Sequence, residues 1–303
     1  MRQGRTGRAG RRRPAASQDE PDDGRRHAGV SQLLRALVFL WALGLSILPG
    51  NGAHARAICT VIVDAFDGAI LLQQGDCGTR VTPASTFKIP LAVMGFDSGY
   101  LKDRASPVLP FRKGYPDWGG AAWRKPVNPA DWMRHSVVWY SQQIAKTLGK
   151  DTLERQAAAF GYGNADFSGD PGSDNGLERA WISSSLTISP LEQTMFLRKL
   201  VSYELPVGRR AIDGAKALVE TAALGNGWRV SGKTGSAFPR RADGSFDRGR
   251  GWGWFVGWAE RNGKTVAFAR LAQDEGGETG SAGLRARAAF LSEWPGLAER
   301  VGR

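Results

Sequence analysis

Strand-like segments stand at both ends of this chain with a long helical stretch between them, and that order constrains the fold more than any other feature. Thr60-Val61-Ile62-Val63 and Ala69-Ile70-Leu71-Leu72 flank the turn residues Asp67-Gly68 and read as a hairpin. Late in the chain, 228–234 and 252–259 alternate with the period of strands, and Asn262-Gly263 turns into a third run, Thr265-Val266-Ala267-Phe268-Ala269. The middle has a helical period. Helices are expected after Pro83, from Asn128 to Gly149, over 151–160, 190–203 and 208–222, and a closing one over 285–293. First and last strands can share a sheet only if the helical part is inserted between them. The expectation is an α+β architecture, an antiparallel sheet flanked by helices with an inserted helical lobe.

The segment ahead of the first strand has a different character. The run 36–48 carries no charge, follows Arg35, and is followed by Pro49-Gly50 and Ala53-His54-Ala55. Basic flank, short apolar core and small-x-small site form a signal-peptide pattern, and the apolar run is shorter than the ~20 residues of a spanning helix. Residues 1–55 therefore read as leader and signal peptide, with cleavage after Ala55, and 56–303 as one functional domain released to the periplasm without stable membrane association.

The formal charge of +12 raises nucleic-acid binding as a function, but no basic run with interleaved aromatics follows Arg56, so no nucleic-acid partner is expected. Cys59 and Cys77 are the two cysteines, placed about evenly around the Asp67-Gly68 turn. In an oxidising compartment they are expected to form a disulfide.

Three histidines (His27, His54, His135) and two cysteines leave little for a metal site or a Ser-His-Asp triad, so no metal is expected. Ser85-Thr86-Phe87-Lys88 offers another chemistry. A three-residue step on a helix makes Ser and Lys neighbours, and an uncharged Lys can take the Ser proton. Ser85 also stands at a helix N-terminus, where developing negative charge is favoured. A Ser-x-x-K sequence arises by chance about once in 250 residues, so it carries little alone. Lys233-Thr234-Gly235, on a late strand among aromatic strands, is much rarer.

In this order the two motifs resemble the penicillin-recognising serine enzymes, the serine β-lactamases and penicillin-binding proteins. The middle motif is Ser136-Val137-Val138, a Ser-x-Val where most relatives have Ser-x-Asn. With Tyr162-Gly163-Asn164, Trp181 and Trp254-Phe255-Val256-Gly257-Trp258, the chain resembles a class D (oxacillinase-type) β-lactamase over nearly all of 57–295. That resemblance implies a serine β-lactamase/transpeptidase-like fold and hydrolysis of penicillin-type β-lactams through an acyl-enzyme on Ser85.

The resemblance also distributes roles. Ser85 and Ser236 backbone N–H groups would form the oxyanion hole; Lys233, Thr234, Gly235 and Arg285 would bind the substrate carboxylate; Ser136 would pass a proton to the leaving nitrogen. Lys88 is the expected general base. An ammonium ion cannot serve, but burial beside Val138, Phe87 and Ile182 lowers a Lys pKa. The neutral amine can then take up carbon dioxide to become N6-carboxylysine, with Trp181 N–H as a donor. Carbon dioxide or bicarbonate is thus the only small molecule needed, and no other cofactor is expected. His135 reads as structural or exposed. Ser236-Ala237 follow Lys233-Thr234-Gly235 where many relatives carry an aromatic residue, which implies a more open wall of the cleft. Two competing readings share the motifs: a β-lactam sensor that stays acylated, and a peptidoglycan transpeptidase or carboxypeptidase.

Overall fold

In the computed structural model, which describes residues 55–301, strand pairing joins the two ends of the domain. The leader and signal-peptide reading of 1–55 lies outside the described residues except for Ala55. Six strands, β1 (Arg56–Asp64), β2 (Ile70–Gly75), β3 (Thr221–Ala223), β4 (Arg229–Ala237), β5 (Trp252–Arg261) and β6 (Lys264–Gln273), form one sheet in the order β2-β1-β6-β5-β4-β3. All neighbours are antiparallel. The described helices are α1 (Lys88–Asp97), α2 (Pro129–Arg134), α3 (Val138–Leu148), α4 (Lys150–Phe160), α5 (Gly176–Arg179), α6 (Pro190–Val201), α7 (Arg209–Leu218) and α8 (Ala282–Val301). The expected α+β fold with its inserted helical part is the one observed.

The period-two pattern of the central strands explains the layering, because alternate side chains point to opposite faces. Trp254, Val256 and Trp258 of β5, with Ala267, Ala269 and Leu271 of β6, face the core shared with the helices before β3. Phe255, Val266, Phe268 and Ala272 face the other way, against Phe290 and Trp294 of α8. Phe268 and Phe290 stack at 4.3 Å between ring centroids. Both faces of the sheet are buried, so these strands are apolar throughout rather than half polar.

Three elements differ from the sequence expectation. The helical pattern from Asn128 to Gly149 divides into α2 and α3, because Ser136 adopts a left-handed φ of 55°. Asn128 caps α2 by accepting from Asp131 N–H, and Trp123 Nε1 donates to the His135 carbonyl at the break. The helix expected over 208–222 stops at Leu218, and 221–223 joins the sheet as β3, a strand too short to show a period. The closing helix runs from Ala282 to Val301, beyond the expected 285–293, and accommodates Pro295 while burying Leu297, Ala298 and Val301.

Cys59 and Cys77 are bonded. Cys59 pairs in register with Gly75, so Cys77 lies just past the end of β2, and a bulge at Ile62/Val63 shifts the hairpin away from simple symmetry. Among the described residues, no helix is long and apolar enough to cross a membrane.

Candidate active site

Ser85 sits in a single 3₁₀ turn, Ala84–Phe87, that runs into α1. Ala84 ahead of it has a positive φ of 51°, and Thr86 is pinned from two sides, donating to the Pro83 carbonyl at 2.7 Å and accepting from Gln193 Nε2 at 2.7 Å. These contacts fix the backbone of the turn on which Ser85 stands, while Thr86 itself is buried.

Strand β4 passes directly in front of this turn. Since β3 pairs only with Arg229, Val230 and Ser231, the remainder of that edge of β4 has no strand neighbour among the described residues and faces the Ser85 turn. Gly235 permits the approach: a Cβ there would lie 2.9 Å from the Pro83 carbonyl oxygen and 3.1 Å from Thr86 Cγ2. Gly283 plays the same part behind it, where a Cβ would come within 2.5 Å of the Gly235 oxygen. The two glycines thus set the spacing of turn, strand and α8.

Between them lies a cleft of about 350 Å³ lined by Ser85, Ser136, Val138, Trp181, Ile182, Thr234, Gly235 and Ser236. Trp118, Trp123 and Ser281, which the sequence reading did not single out, complete its walls. Trp118 is 66 % exposed, large and apolar, and the only signal for it in the sequence was an aromatic residue in a Gly-rich loop.

Two buried lysines lie next to residues that line the cleft, with different surroundings. Lys88 is buried, and its Nζ has no hydrogen-bond partner among the described residues. Burial is the larger cause, and the positive charge of Lys233 the lesser, of a pKa far below the ordinary lysine value. Phe87, its neighbour in sequence, stacks on Trp181 at 5.2 Å and packs with Tyr162 and Phe167 in the apolar core. Lys233 donates to Ser136 Oγ at 2.6 Å and to the Thr234 carbonyl at 3.0 Å. Its pKa is lowered by burial to about 8, against an opposing influence of the Glu220 carboxylate.

Arg285 is placed differently from the other residues singled out. Its guanidinium makes a two-pronged pair with Asp274, at 2.8 and 2.7 Å, and also donates to the Thr279 carbonyl. It does not line the cleft in this conformation. His135 is half-buried, 3.9 Å from Asp131. Among the described residues no cluster of His, Cys, Asp or Glu has the arrangement of a metal site.

The loop bearing Trp181 is tied at both ends. Asn164 Nδ2 donates to the Ser185 carbonyl, and Gly163 lies so close to the Thr187 carbonyl that a Cβ would be 2.0 Å from it. Asp170 at the tip accepts from Arg179, Arg240, Ser184 and Asn175. The Arg240 contact fastens this loop to the β4–β5 connection.

A serine at the head of a buried helix, an unpartnered buried lysine one turn on, and a Lys-Thr-Gly strand across a cleft define a serine acyl-transfer enzyme of the transpeptidase fold. Residues 58–294 match the family described as the penicillin binding protein transpeptidase domain. Relatives include β-lactamase OXA-9 of Klebsiella pneumoniae, 43 % identical over 88 % of this chain and 97 % of that protein. β-Lactamase OXA-1 of Escherichia coli is 37 % identical over 66 % of this chain and 70 % of its own length. The crystal structure of OXA-427, a class D β-lactamase, superposes with a TM-score of 0.75 at 42 % identity, covering 80 % of this chain and 99 % of that one. The chain belongs to the class D β-lactamases, within the penicillin-binding protein transpeptidase-domain family.

Proposed function

We propose that this enzyme is exported to the periplasm and hydrolyses the amide of penicillin-type β-lactams through an acyl-enzyme on Ser85, with carboxylated Lys88 as general base. The observation that carries the reading is the Lys88 Nζ, buried, unpartnered and one helical turn from the nucleophile. Family membership supports the substrate class, and the 36–48 signal pattern supports export.

Ser85 Oγ attacks the lactam carbonyl, and the oxygen of the tetrahedral intermediate is received by the Ser85 and Ser236 N–H groups. Thr234 and Lys233 hold the substrate carboxylate, and Arg285, which Asp274 neutralises in this conformation, joins them only by exchanging that partner for the substrate. Ser136, already bonded to Lys233, relays the proton to the departing nitrogen. The apolar surroundings of Lys88 fit the uptake of carbon dioxide, since a neutral amine is the form that reacts and the orphaned Nζ has no competing partner. A carbamate at this position supplies an anionic oxygen base where a buried ammonium has none.

The experiment is turnover of penicillin and of a chromogenic cephalosporin, followed by intact mass. Many turnovers per enzyme, and a transient adduct mapping to Ser85 and absent in Ser85→Ala, are expected. A single burst leaving a stable adduct would place the protein among acylated receptors or transpeptidases instead.

A further inference from the structure

Strand β4 runs past a second opening. At the end away from Gly235, a cleft of about 860 Å³ is bounded by α2, the end of α7, β3, β4, β5 and Arg287 of α8. Five cations line it, Arg104, Arg134, Lys216, Arg229 and Arg287, against the carboxylates of Asp131, Glu220 and Glu260. Of the five, only Arg134 forms an ion pair among the described residues, its Nε lying 3.0 Å from Glu220. Arg229 stands opposite Glu260 in the β4–β5 register without reaching ion-pair distance. The cations come from separate elements of the fold; Arg104 donates to the Ala217 carbonyl, and Lys216 and Arg287 lie over the Tyr203 and Phe255 rings, contacts that leave their positive charge without a carboxylate partner.

The two openings share their walls. Ser231 and Lys233 lie on the same face of β4, two residues apart, with Ser231 lining the second cleft and Lys233 bonded to Ser136 at the first. On the other wall, Arg134 ends α2 and Ser136 follows two residues later. The Ser136–Lys233 hydrogen bond therefore stands between the clefts. The Glu220 carbonyl accepts from Gly232 N–H on β4, and its carboxylate holds Arg134, so this residue touches both walls.

We infer that this cleft is a second ligand site, for a small anion carrying two or more carboxylate or phosphate groups. Its volume is that of a small-molecule site, and guanidinium groups pair with both oxyanions through two parallel hydrogen bonds. A monovalent ion satisfies one of the cations; a multivalent one spans several. Bound there, the anion competes with Glu220 for Arg134 and so acts on the segment that positions Ser136.

The test is isothermal titration of the intact protein with citrate and, separately, with pyrophosphate, at constant ionic strength set with chloride. One equivalent of at least one anion is expected to bind. The better binder identifies carboxylate or phosphate as the preferred chemistry. Arg229→Gln combined with Arg287→Gln is expected to weaken binding at least ten-fold, with an unchanged circular dichroism spectrum and unchanged turnover in the absence of the anion. Protein acylated on the nucleophile should still bind, and the saturating anion should change kcat/KM in the wild type but not in the double variant. No heat beyond that of chloride, undiminished affinity in the folded double variant, or loss of binding on acylation would each overturn the inference.

Discussion

Lys233 Nζ and Ser136 Oγ are 2.6 Å apart, joining the sheet to the break between α2 and α3. This bond gives the left-handed Ser136 a fixed direction. In the proposed mechanism it also links the Lys233 ammonium, assigned to the substrate carboxylate, to Ser136, assigned to proton transfer.

That charge is expected to set the alkaline limit of substrate affinity. Burial lowers the Lys233 pKa to about 8, so the ammonium present at neutral pH is lost as pH rises through that value. KM for anionic β-lactams should rise above pH 8, with kcat less affected. Glu220→Gln removes an influence that favours the ammonium and should move this rise to lower pH. Steady-state kinetics from pH 6 to 9.5 provide the check, and a KM independent of pH across that range would contradict it.

Lys88 is expected to set the acidic limit. Its pKa is also lowered, chiefly by burial, so the neutral amine survives below the ordinary lysine range and is lost as pH falls through the lowered value. Mildly acidic, degassed buffer should depress turnover and added bicarbonate should restore it. Carbon-13 NMR with labelled bicarbonate should show a carbamate resonance that is absent in Lys88→Ala. In that variant, Ser85 is expected to accumulate acyl-enzyme on slow acylation. Bicarbonate-independent turnover with no such resonance would remove the carbamate while leaving Ser85 as nucleophile.

Gly235→Ala should separate catalysis from folding. The added methyl meets the Pro83 carbonyl and Thr86 Cγ2, so β4 must retreat from the Ser85 turn by a few tenths of an ångström. Misplacement on this scale is expected to lower the acylation rate by roughly 10- to 100-fold, while overpacking destabilises the fold by about 1–3 kcal/mol. Stopped-flow acylation and urea unfolding of the same sample measure the two effects. A wild-type acylation rate would show that the close approach is not needed.

Asp274→Ala should be more harmful to stability than an exposed ion-pair mutation. The Asp274 side chain is 8 % exposed and holds both oxygens against Arg285, whose guanidinium is left partly buried without it. A loss of about 3 kcal/mol is expected, the magnitude found when one partner of a buried pair is removed. Chemical denaturation at neutral pH measures it, and a change below about 1 kcal/mol, typical of surface pairs, would place Asp274 among them.

Replacing Cys59 and Cys77 together by Ser should lower stability by about 3 kcal/mol, since the loop they close, a sequence separation of 18, is then free in the unfolded chain. Thermal unfolding of oxidised, reduced and substituted protein provides the comparison. Equal midpoints for all three would show that the hairpin is held by its strand pairing alone.

Local patterns made much of this architecture legible. Alternation in 228–234 and 252–259, the Asn128-Pro129 helix start and the two motifs on helix and strand are short-range signals, and each is found where its pattern places it. The features that escaped depend on contacts distant in sequence. The helix break at Ser136 is held by Trp123 and Lys233, and β3 exists because β4 is beside it. Trp118 and Ser281 line the cleft only after the chain has folded, and nothing in their immediate neighbours announces it. Arg285 stands on the expected helix, but its partner, Asp274, is chosen by packing and could not be read from a Gly-Leu-Arg sequence.

The pairing of β1 with β6 has a consequence for the order of events during synthesis. From Arg56 paired with Gln273 to Asp64 paired with Val266, the first strand finds its central neighbour only near the end of the chain. A ribosome must therefore have made more than two hundred further residues before β1 can leave the edge of a two-stranded hairpin. Until then the apolar faces of Val61, Ile62 and Val63 lack the layers that cover them in the finished sheet. Truncation before β6 removes the partner that makes the hairpin part of a core, so such fragments are expected to aggregate rather than fold as smaller domains.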